Sequence, residues 1–133
     1  MKEKEIQNKF IADWEDNLRD LLKLKDLRLY AIELNIKTDD GVKRADLVYE
    51  IDKHDCPMDN PMFVVELKKD KIDVGVCEQV SRYAHFLKLQ LYRKSIVKSV
   101  IAAPSFSNWE LKTCKEQGIY PLQFDLAGNM RLL

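Results

Sequence analysis

Apolar residues recur with two different periods along this chain, and the order of these periods is what most restricts its fold. Residues 29–37 alternate apolar with smaller or polar side chains, Asp39-Asp40-Gly41 is a turn signal, and a second strand is expected over 42–51. Alternation with a period of two is typical of strands, so this segment predicts a hairpin. Residues 62–68 form a compact apolar run that ends in Glu-Leu-Lys, which predicts a third strand.

Farther along the chain, helical and extended patterns alternate. We expect a helix over 73–91, a strand over 97–103, a helix over 107–117 closed by Gly118, a strand over 119–124 and a short last strand over 130–133. A three-strand meander followed by helix crossovers predicts an α/β fold, in which a central mixed sheet is flanked by helices.

The first segment predicts one helix over residues 3–24. At 100° per residue its apolar side chains form a single stripe, which consists of Ile6, Phe10, Trp14, Leu18 and Leu21. Glu3 projects near the centre of that stripe, and Glu15 projects at its margin. An acidic residue on the inner side of a helix points into the protein unless the helix end frays. Glu3 is therefore the first candidate for a functional carboxylate on this helix, and Glu15 is the second.

The length of 133 residues favours a single domain, 1–133. Because 22 basic residues balance 22 acidic ones, a positive field over the whole molecule is excluded, and any nucleic-acid contact must use a local basic patch. The charged first residues do not resemble a signal peptide, and no apolar run is long enough to span a membrane. We therefore expect a cytoplasmic protein with no membrane partner, and reduced thiols at its three cysteines.

Two carboxylates are predicted to oppose each other in neighbouring strands. A symmetric hairpin centred near Cys56 places Asp46 opposite Glu66, and Lys68 then lies on the same strand face as Glu66. Directly opposed carboxylates are destabilising unless something compensates their charge, and a divalent cation with oxygen ligands, Mg²⁺ or Mn²⁺, does so. The alternative interpretation is a solvated strand face on which Glu66 and Lys68 form an ion pair.

The expected helix 73–91 carries further polar residues toward this region. Gln79 lies at the edge of its inner face, Tyr83 lies one turn on, and Arg82 lies beside them. An ordinary helix edge carries residues of the same kinds, so these residues indicate a functional site only in combination with Asp46 and Glu66.

Four segments of the chain resemble, in order, the motifs of one enzyme superfamily. Glu3-x-x-Ile6-Gln7-x-x-Phe10 is similar to Glu-x-x-Leu-Gln-x-x-Leu, and Arg44-Ala45-Asp46-Leu47-Val48 to Arg-Ile-Asp-Leu-Leu. Val64-Val65-Glu66-Leu67-Lys68 is similar to Val-Val-Glu-Leu-Lys, and the segment 75–83 to Gly-x-x-Gln-x-x-Arg-Tyr with one additional residue after the glycine. These are motifs of the PD-(D/E)XK nuclease superfamily. The resemblance is closest to the catalytic domain of NucS/EndoMS-type DNA endonucleases, and it covers nearly the whole chain.

The resemblance implies a restriction-endonuclease-like core and a role for each matched residue. Asp46, Glu66, Glu3 and the Leu67 carbonyl would hold Mg²⁺ or Mn²⁺. Lys68 would act on the attacking water or on the developing charge, and Gln79 would position one of them. Contacts to the DNA backbone would come from the residues around this site, namely Arg44, Lys69, Lys71, Arg82 and Tyr83.

The implied function is that of a Mg²⁺-dependent DNA endonuclease acting on branched, mismatched or single-stranded DNA, in repair or in the replication of a mobile element or virus. Two alternatives stay open at this point. One is a Holliday-junction-resolvase-like or restriction-type nuclease, and the other is a non-cleaving domain of the same fold that binds nucleic acid or a protein. A homodimer is a further expectation, since a domain of this size needs a second copy to grip duplex DNA from two sides.

Overall fold

The computed structural model describes residues 2–52, 60–70, 74–91 and 97–133. Within these ranges the helices and strands follow the predicted order. The helices are α1 (Glu3–Ala12), α2 (Glu15–Leu22), α3 (Val74–Gln90) and α4 (Asn108–Gln117). The strands are β1 (Leu27–Thr38), β2 (Gly41–Ile51), β3 (Met62–Leu67), β4 (Val97–Ala103), β5 (Ile119–Phe124) and β6 (Met130–Leu132).

The strands form one mixed sheet in the order β1-β2-β3-β4-β5-β6. β1, β2 and β3 are the antiparallel meander, β4 and β5 each pair in parallel with the preceding strand, and β6 is antiparallel to β5. Parallel neighbours need a crossover connection, which α3 and α4 provide. The prediction of an α/β fold with a central mixed sheet flanked by helices is therefore confirmed.

β1 is less regular than the alternation of its side chains suggests. Tyr30 and Ile32 are 40% and 43% exposed, whereas Ile36 in the same alternating series is fully buried. The pairing with β2 shifts register between Leu29 and Ala31, and Glu33 has a left-handed backbone with φ of 50°. Irregularities of this kind change which face of the sheet the following side chains occupy.

The prediction of one continuous helix over 3–24 is wrong at Asp13 and Trp14, where the chain leaves the helix before α2 begins. Trp14 has φ of −103° and ψ of 0°, and its ring centroid lies 5.2 Å from that of Phe10 and 5.6 Å from that of Phe124. The indole also packs against the backbone of Gly128. These contacts hold Trp14 at the start of α2, outside a regular helical turn.

Helices cover both faces of the sheet. On one face the predicted stripe of α1 and α2 is buried as expected, with Phe10 and Leu18 packed among the side chains of β2, β3 and β5. On the other face, α3 places Val80, Tyr83 and Leu87 against β3 and β4. No helix in the part of the chain that the structure describes is long and apolar enough to cross a bilayer.

The buried thiols lie between α3 and α4. Cys77 and Cys114 are buried, and their side chains contact each other. Burial raises the pKa of Cys114 to about 12, so its sulfur stays protonated near neutral pH. Cys56 lies outside the described residues.

Candidate active site

β2 and β3 bring Asp46 and Glu66 together. Leu47 pairs with Val65, and continuing this antiparallel register by one residue sets Asp46 opposite Glu66. The two strands are also joined at this point by a side chain, because the backbone N–H of Leu67 donates to Oδ2 of Asp46 at 2.8 Å. This hydrogen bond fixes the Asp46 carboxylate at the end of β3, beside Glu66.

The two carboxylates are electrostatically unfavourable as they stand. Burial raises the pKa of Glu66 to about 8, with the Asp46 charge as the next cause, and Glu66 is only 7% exposed. Burial also raises the pKa of Asp46, while the hydrogen bond from the Leu67 N–H opposes that rise. Burial and a neighbouring like charge both disfavour the ionised form of a carboxyl group. A cation bound to this pair would therefore strongly lower the free energy of its ionised form.

The third carboxylate comes from α1. The charge of Glu3, whose side chain is exposed at the start of α1, raises the pKa of both Asp46 and Glu66. Glu15, the other helix-borne candidate, is used elsewhere: its Oε1 accepts the N–H of Leu29 at 3.0 Å, and its Oε2 lies 3.2 Å from Arg19. We call Glu3, Asp46 and Glu66 the carboxylate cluster.

Lys68 forms an ion pair with this cluster. Its Nζ lies 3.6 Å from Oε1 of Glu66, and its side chain is about one-quarter exposed, at 24%. Its backbone N–H donates to the carbonyl of Ala102 in β4 at 2.8 Å, which holds the residue in line with β3 beyond the last paired position. The ammonium therefore reaches both the carboxylate cluster and solvent.

α3 presents two polar groups to the same place. The Gln79 side chain donates to the hydroxyl of Tyr83, and Tyr83 is buried. Burial is the largest cause of the raised pKa of Tyr83, and the charges of Glu66, Asp46 and Lys68 also act on it. The Tyr83 hydroxyl is thus within electrostatic range of the carboxylate cluster, and Gln79 is hydrogen-bonded to it.

The remaining basic candidates lie at different positions around this region. Arg82 is tied to the turn between β1 and β2 through ion pairs with Asp39 and with Asp40, the latter at 3.4 Å. Arg44 and Lys69 are exposed. Lys71 lies outside the described residues.

Two residues that our sequence predictions left without a role also adjoin the cluster. Gln7 is only 4% exposed, and its Nε2 donates to the backbone carbonyl of Asp46 at 3.0 Å. A signal for Gln7 exists, since it projects into the apolar stripe of the predicted helix between Trp14 and Leu18. Glu33 lies across from Asp46, between the pairs Ile32–Leu47 and Leu34–Ala45, and no sequence pattern marks it.

The oxygen donors in this region suit a hard divalent cation. Oε2 of Glu66 is buried and accepts no hydrogen bond from any described residue. The Asp46 carboxylate and the Leu67 carbonyl are further oxygen donors, and oxygen-only sets favour Mg²⁺ or Mn²⁺. Within 2–52, 60–70, 74–91 and 97–133, no three acidic, His or Cys side chains are already closed around one point. Holding an ion with all three carboxylates would therefore require these side chains to move closer together.

Comparisons with known proteins give matches in structure alone. No family model and no curated protein matches the sequence. A repair endonuclease from Pyrococcus abyssi is similar with a TM-score of 0.60 and 20% identity, over 86% of this chain and 46% of that one. EndoMS in its apo form matches with a TM-score of 0.61 and 15% identity, over 94% of this chain and 47% of that one.

A complex of EndoMS with double-stranded DNA matches with a TM-score of 0.54 and 15% identity, over 85% of this chain and 44% of that one. The chain thus spans less than half the length of each of these three proteins. The likeness extends over most of the present chain. The chain therefore has a restriction-endonuclease-like fold of the kind found in NucS/EndoMS repair endonucleases.

Proposed function

We propose that this protein is a metal-dependent DNA endonuclease that hydrolyses phosphodiester bonds with Mg²⁺ or Mn²⁺. One observation carries the proposal: half-buried Asp46 and buried Glu66 form a carboxylate pair that Lys68 neutralises only in part, on a fold shared with repair endonucleases. A buried acidic pair of this kind is costly to keep unless it has a task, and strongly shifted pKa values concentrate at functional sites.

The cation would be held by oxygen atoms from three elements. Asp46 and Glu66 would supply carboxylate oxygens from β2 and β3, Leu67 would supply its carbonyl, and Glu3 would approach from α1. When bound, the cation would supply Lewis acidity at the scissile phosphate and lower the pKa of a coordinated water. The buried position of Glu66 keeps bulk water from competing for its oxygens.

Lys68 is proposed to act on the reacting atoms. Its Nζ would donate a hydrogen bond to the attacking water or to the phosphate oxygen on which charge develops. The Gln79–Tyr83 pair borders the same region, so Gln79 would orient Lys68 or the water from α3. This assigns the catalytic set to Asp46, Glu66, Lys68 and Gln79.

DNA would be bound through its backbone at the surface around these residues. The proposed contacts are Arg44, Lys69, Lys71, Arg82 and Tyr83, and the four basic side chains among them are of a kind that binds phosphates without reading sequence. The fold shared with an EndoMS–DNA complex supports DNA as the partner. Branched, mismatched or single-stranded DNA is the proposed substrate, and a second copy of the chain would grip the other side of a duplex.

One contact favours a second candidate function, that of a DNA-binding domain that does not cleave. Lys68 and Glu66 are 3.6 Å apart, so they could form a permanent structural ion pair. In that case the cluster would need no metal.

Cleavage assays separate the two functions. The protein would be incubated with labelled single-stranded, flap, mismatched and four-way-junction DNA in Mg²⁺, Mn²⁺ or EDTA. We expect at least one of these DNAs to be cut with either metal and none in EDTA. Asp46→Asn should abolish cutting, and Asp20→Asn on the exposed side of α2 is the matched control. DNA binding without metal-dependent cutting of any of these structures would overturn the nuclease proposal.

A further inference from the structure

A buried glutamine joins the helix that carries Glu3 to the strand that carries Asp46. Gln7 is 4% exposed, and its Nε2 donates to the backbone carbonyl of Asp46 at 3.0 Å. Gln7 and Glu3 are four residues apart in α1, so they lie one above the other on the same helix face. The hydrogen bond therefore fixes that face of α1 at the residue that bears one of the two central carboxylates.

The hydrogen bond is made where the ladder between β1 and β2 is irregular. Ile32 pairs with Leu47 and Leu34 pairs with Ala45, and between these pairs Glu33 has a φ of 50°. Non-glycine residues adopt this conformation rarely, and inside a strand it turns the backbone away from its partner. Gln7 thus supplies a side-chain hydrogen bond to β2 at the same level of the sheet.

Lys4 fixes the orientation of the Gln7 amide. Its Nζ donates to Oε1 of Gln7 at 3.0 Å, so the amide nitrogen must face the Asp46 carbonyl. The same ammonium lies 3.9 Å from Oε2 of Glu33. Both ends of the amide are therefore occupied, one by a donor and one by an acceptor.

We propose that Gln7 is a positioning residue that sets Glu3 beside Asp46 and Glu66 by docking α1 onto β2. This inference rests on the proposed function, since it gives Gln7 a role in cation binding by the carboxylate cluster. Substitution of a residue that orients a metal ligand typically lowers metal affinity about 10–100-fold, although the residue does not touch the ion. A purely structural glutamine would affect the stability of the protein and leave its metal affinity unchanged.

The test compares two substitutions in adjacent buried residues of α1. Gln7→Met keeps the size and shape of the side chain but removes both hydrogen bonds. Ile6→Val removes one methylene from the neighbouring core residue, which is 1% exposed, and keeps the hydrogen bonds of Gln7. Gln7→Asn, whose amide is one methylene shorter, serves as a second variant. Mn²⁺ affinity is measured by electron paramagnetic resonance, and thermal unfolding is followed in EDTA.

We expect Gln7→Met to weaken Mn²⁺ binding by about 10-fold or more, whereas Ile6→Val should bind Mn²⁺ like the wild type. In a Glu3→Gln background, Gln7→Met should cause little further loss, because the two residues act as one unit. Two results would overturn the positioning role alone. One is wild-type Mn²⁺ affinity in both Gln7 variants. The other is a double variant in which Gln7→Met lowers Mn²⁺ affinity as much in the Glu3→Gln background as it does in the wild type. A wild-type protein that binds no Mn²⁺ would overturn the proposed function as well.

Discussion

Lys68 Nζ lies 3.6 Å from one oxygen of the Glu66 carboxylate, while the other oxygen is buried without a hydrogen-bond donor among the described residues. Lys68 thus pairs with only one of the two oxygens of the Glu66 carboxylate, which also faces Asp46. This half-satisfied arrangement is the feature from which the proposed chemistry follows, since an anionic group left without a partner in the interior is costly.

The raised pKa of Glu66 makes the stability of the metal-free protein depend on pH. Above the ordinary carboxyl pKa and below about 8, the folded state keeps a proton that the unfolded chain has lost. The free energy of unfolding therefore falls as the pH rises through this window. We expect Glu66→Gln to flatten this dependence and to hold or raise the Tm in EDTA at the alkaline end.

Urea unfolding of wild type and Glu66→Gln in EDTA, at a series of pH values across this window, measures the effect. The same variant should bind Mn²⁺ more weakly, because one anionic ligand is lost. A marked fall in the metal-free Tm of Glu66→Gln would instead support the structural ion pair with Lys68.

Removal of the Lys68 ammonium should act on catalysis more than on DNA binding. We expect Lys68→Ala to slow single-turnover cleavage by about 10²–10⁴-fold, the usual effect of losing a positioned acid–base group, while most DNA affinity in EDTA is retained. Lys112→Ala, which removes an exposed charge on α4 away from the proposed site, is the control and should cut at nearly the wild-type rate. If Lys68→Ala cuts as fast as wild type, Lys68 is not part of the catalytic set.

Substitutions should identify Glu3 as a metal ligand and Glu15 as a structural residue. Glu15 accepts the backbone N–H of Leu29 and pairs with Arg19, so Glu15→Ala should lower the free energy of unfolding by about 1–3 kcal/mol with Mn²⁺ affinity unchanged. Glu3→Gln should lower Mn²⁺ affinity with little effect on unfolding, and the exposed Glu5→Gln is its matched control. The reverse pattern would transfer the ligand role to Glu15.

The break between α1 and α2 gives a prediction about stability alone. A Cβ at Gly128 would come within 2.7 Å of Trp14 Nε1, and the φ of Gly128 is 87°. Gly118 also has a positive φ, of 69°, but a Cβ there would meet nothing within 4 Å. We expect Gly128→Ala to cost about 1–3 kcal/mol through strain and overpacking, and clearly more than Gly118→Ala in urea unfolding. Equal costs would contradict the position of the Trp14 ring.

Most of the fold could be predicted because each element buries a face with a clear period. β4 and β5 have the predicted bounds, and the hairpin centre near Cys56 gives the observed register of Leu47 with Val65. The interruption at Trp14 could not be predicted, since it depends on ring contacts with Phe124 and on the backbone of Gly128, both distant in sequence. The periodicity of apolar residues along the sequence does not reveal such long-range contacts.

The sequence likewise predicted the proximity of Asp46 and Glu66 but not the surroundings that give the pair its properties. The helical wheel favoured Glu3 over Glu15 as the functional carboxylate, and the charge of Glu3 raises the pKa of both Asp46 and Glu66. The roles of Gln7 and Glu33 depend on a local backbone conformation and on a hydrogen bond between α1 and β2. Neither follows from residue types at fixed spacing.

The carboxylate cluster draws its members from residues 3, 46 and 66, on a helix, a hairpin strand and the strand at which parallel pairing begins. No short stretch of the chain contains two of them, so the cluster arises only from contacts of high sequence separation, which form late and at a large cost in loop entropy. Under the proposed function, a chain still being synthesised, or one partly melted, would consequently have neither a cation site nor hydrolytic power. Latency of this kind would make the finished tertiary structure itself the safeguard against uncontrolled cutting.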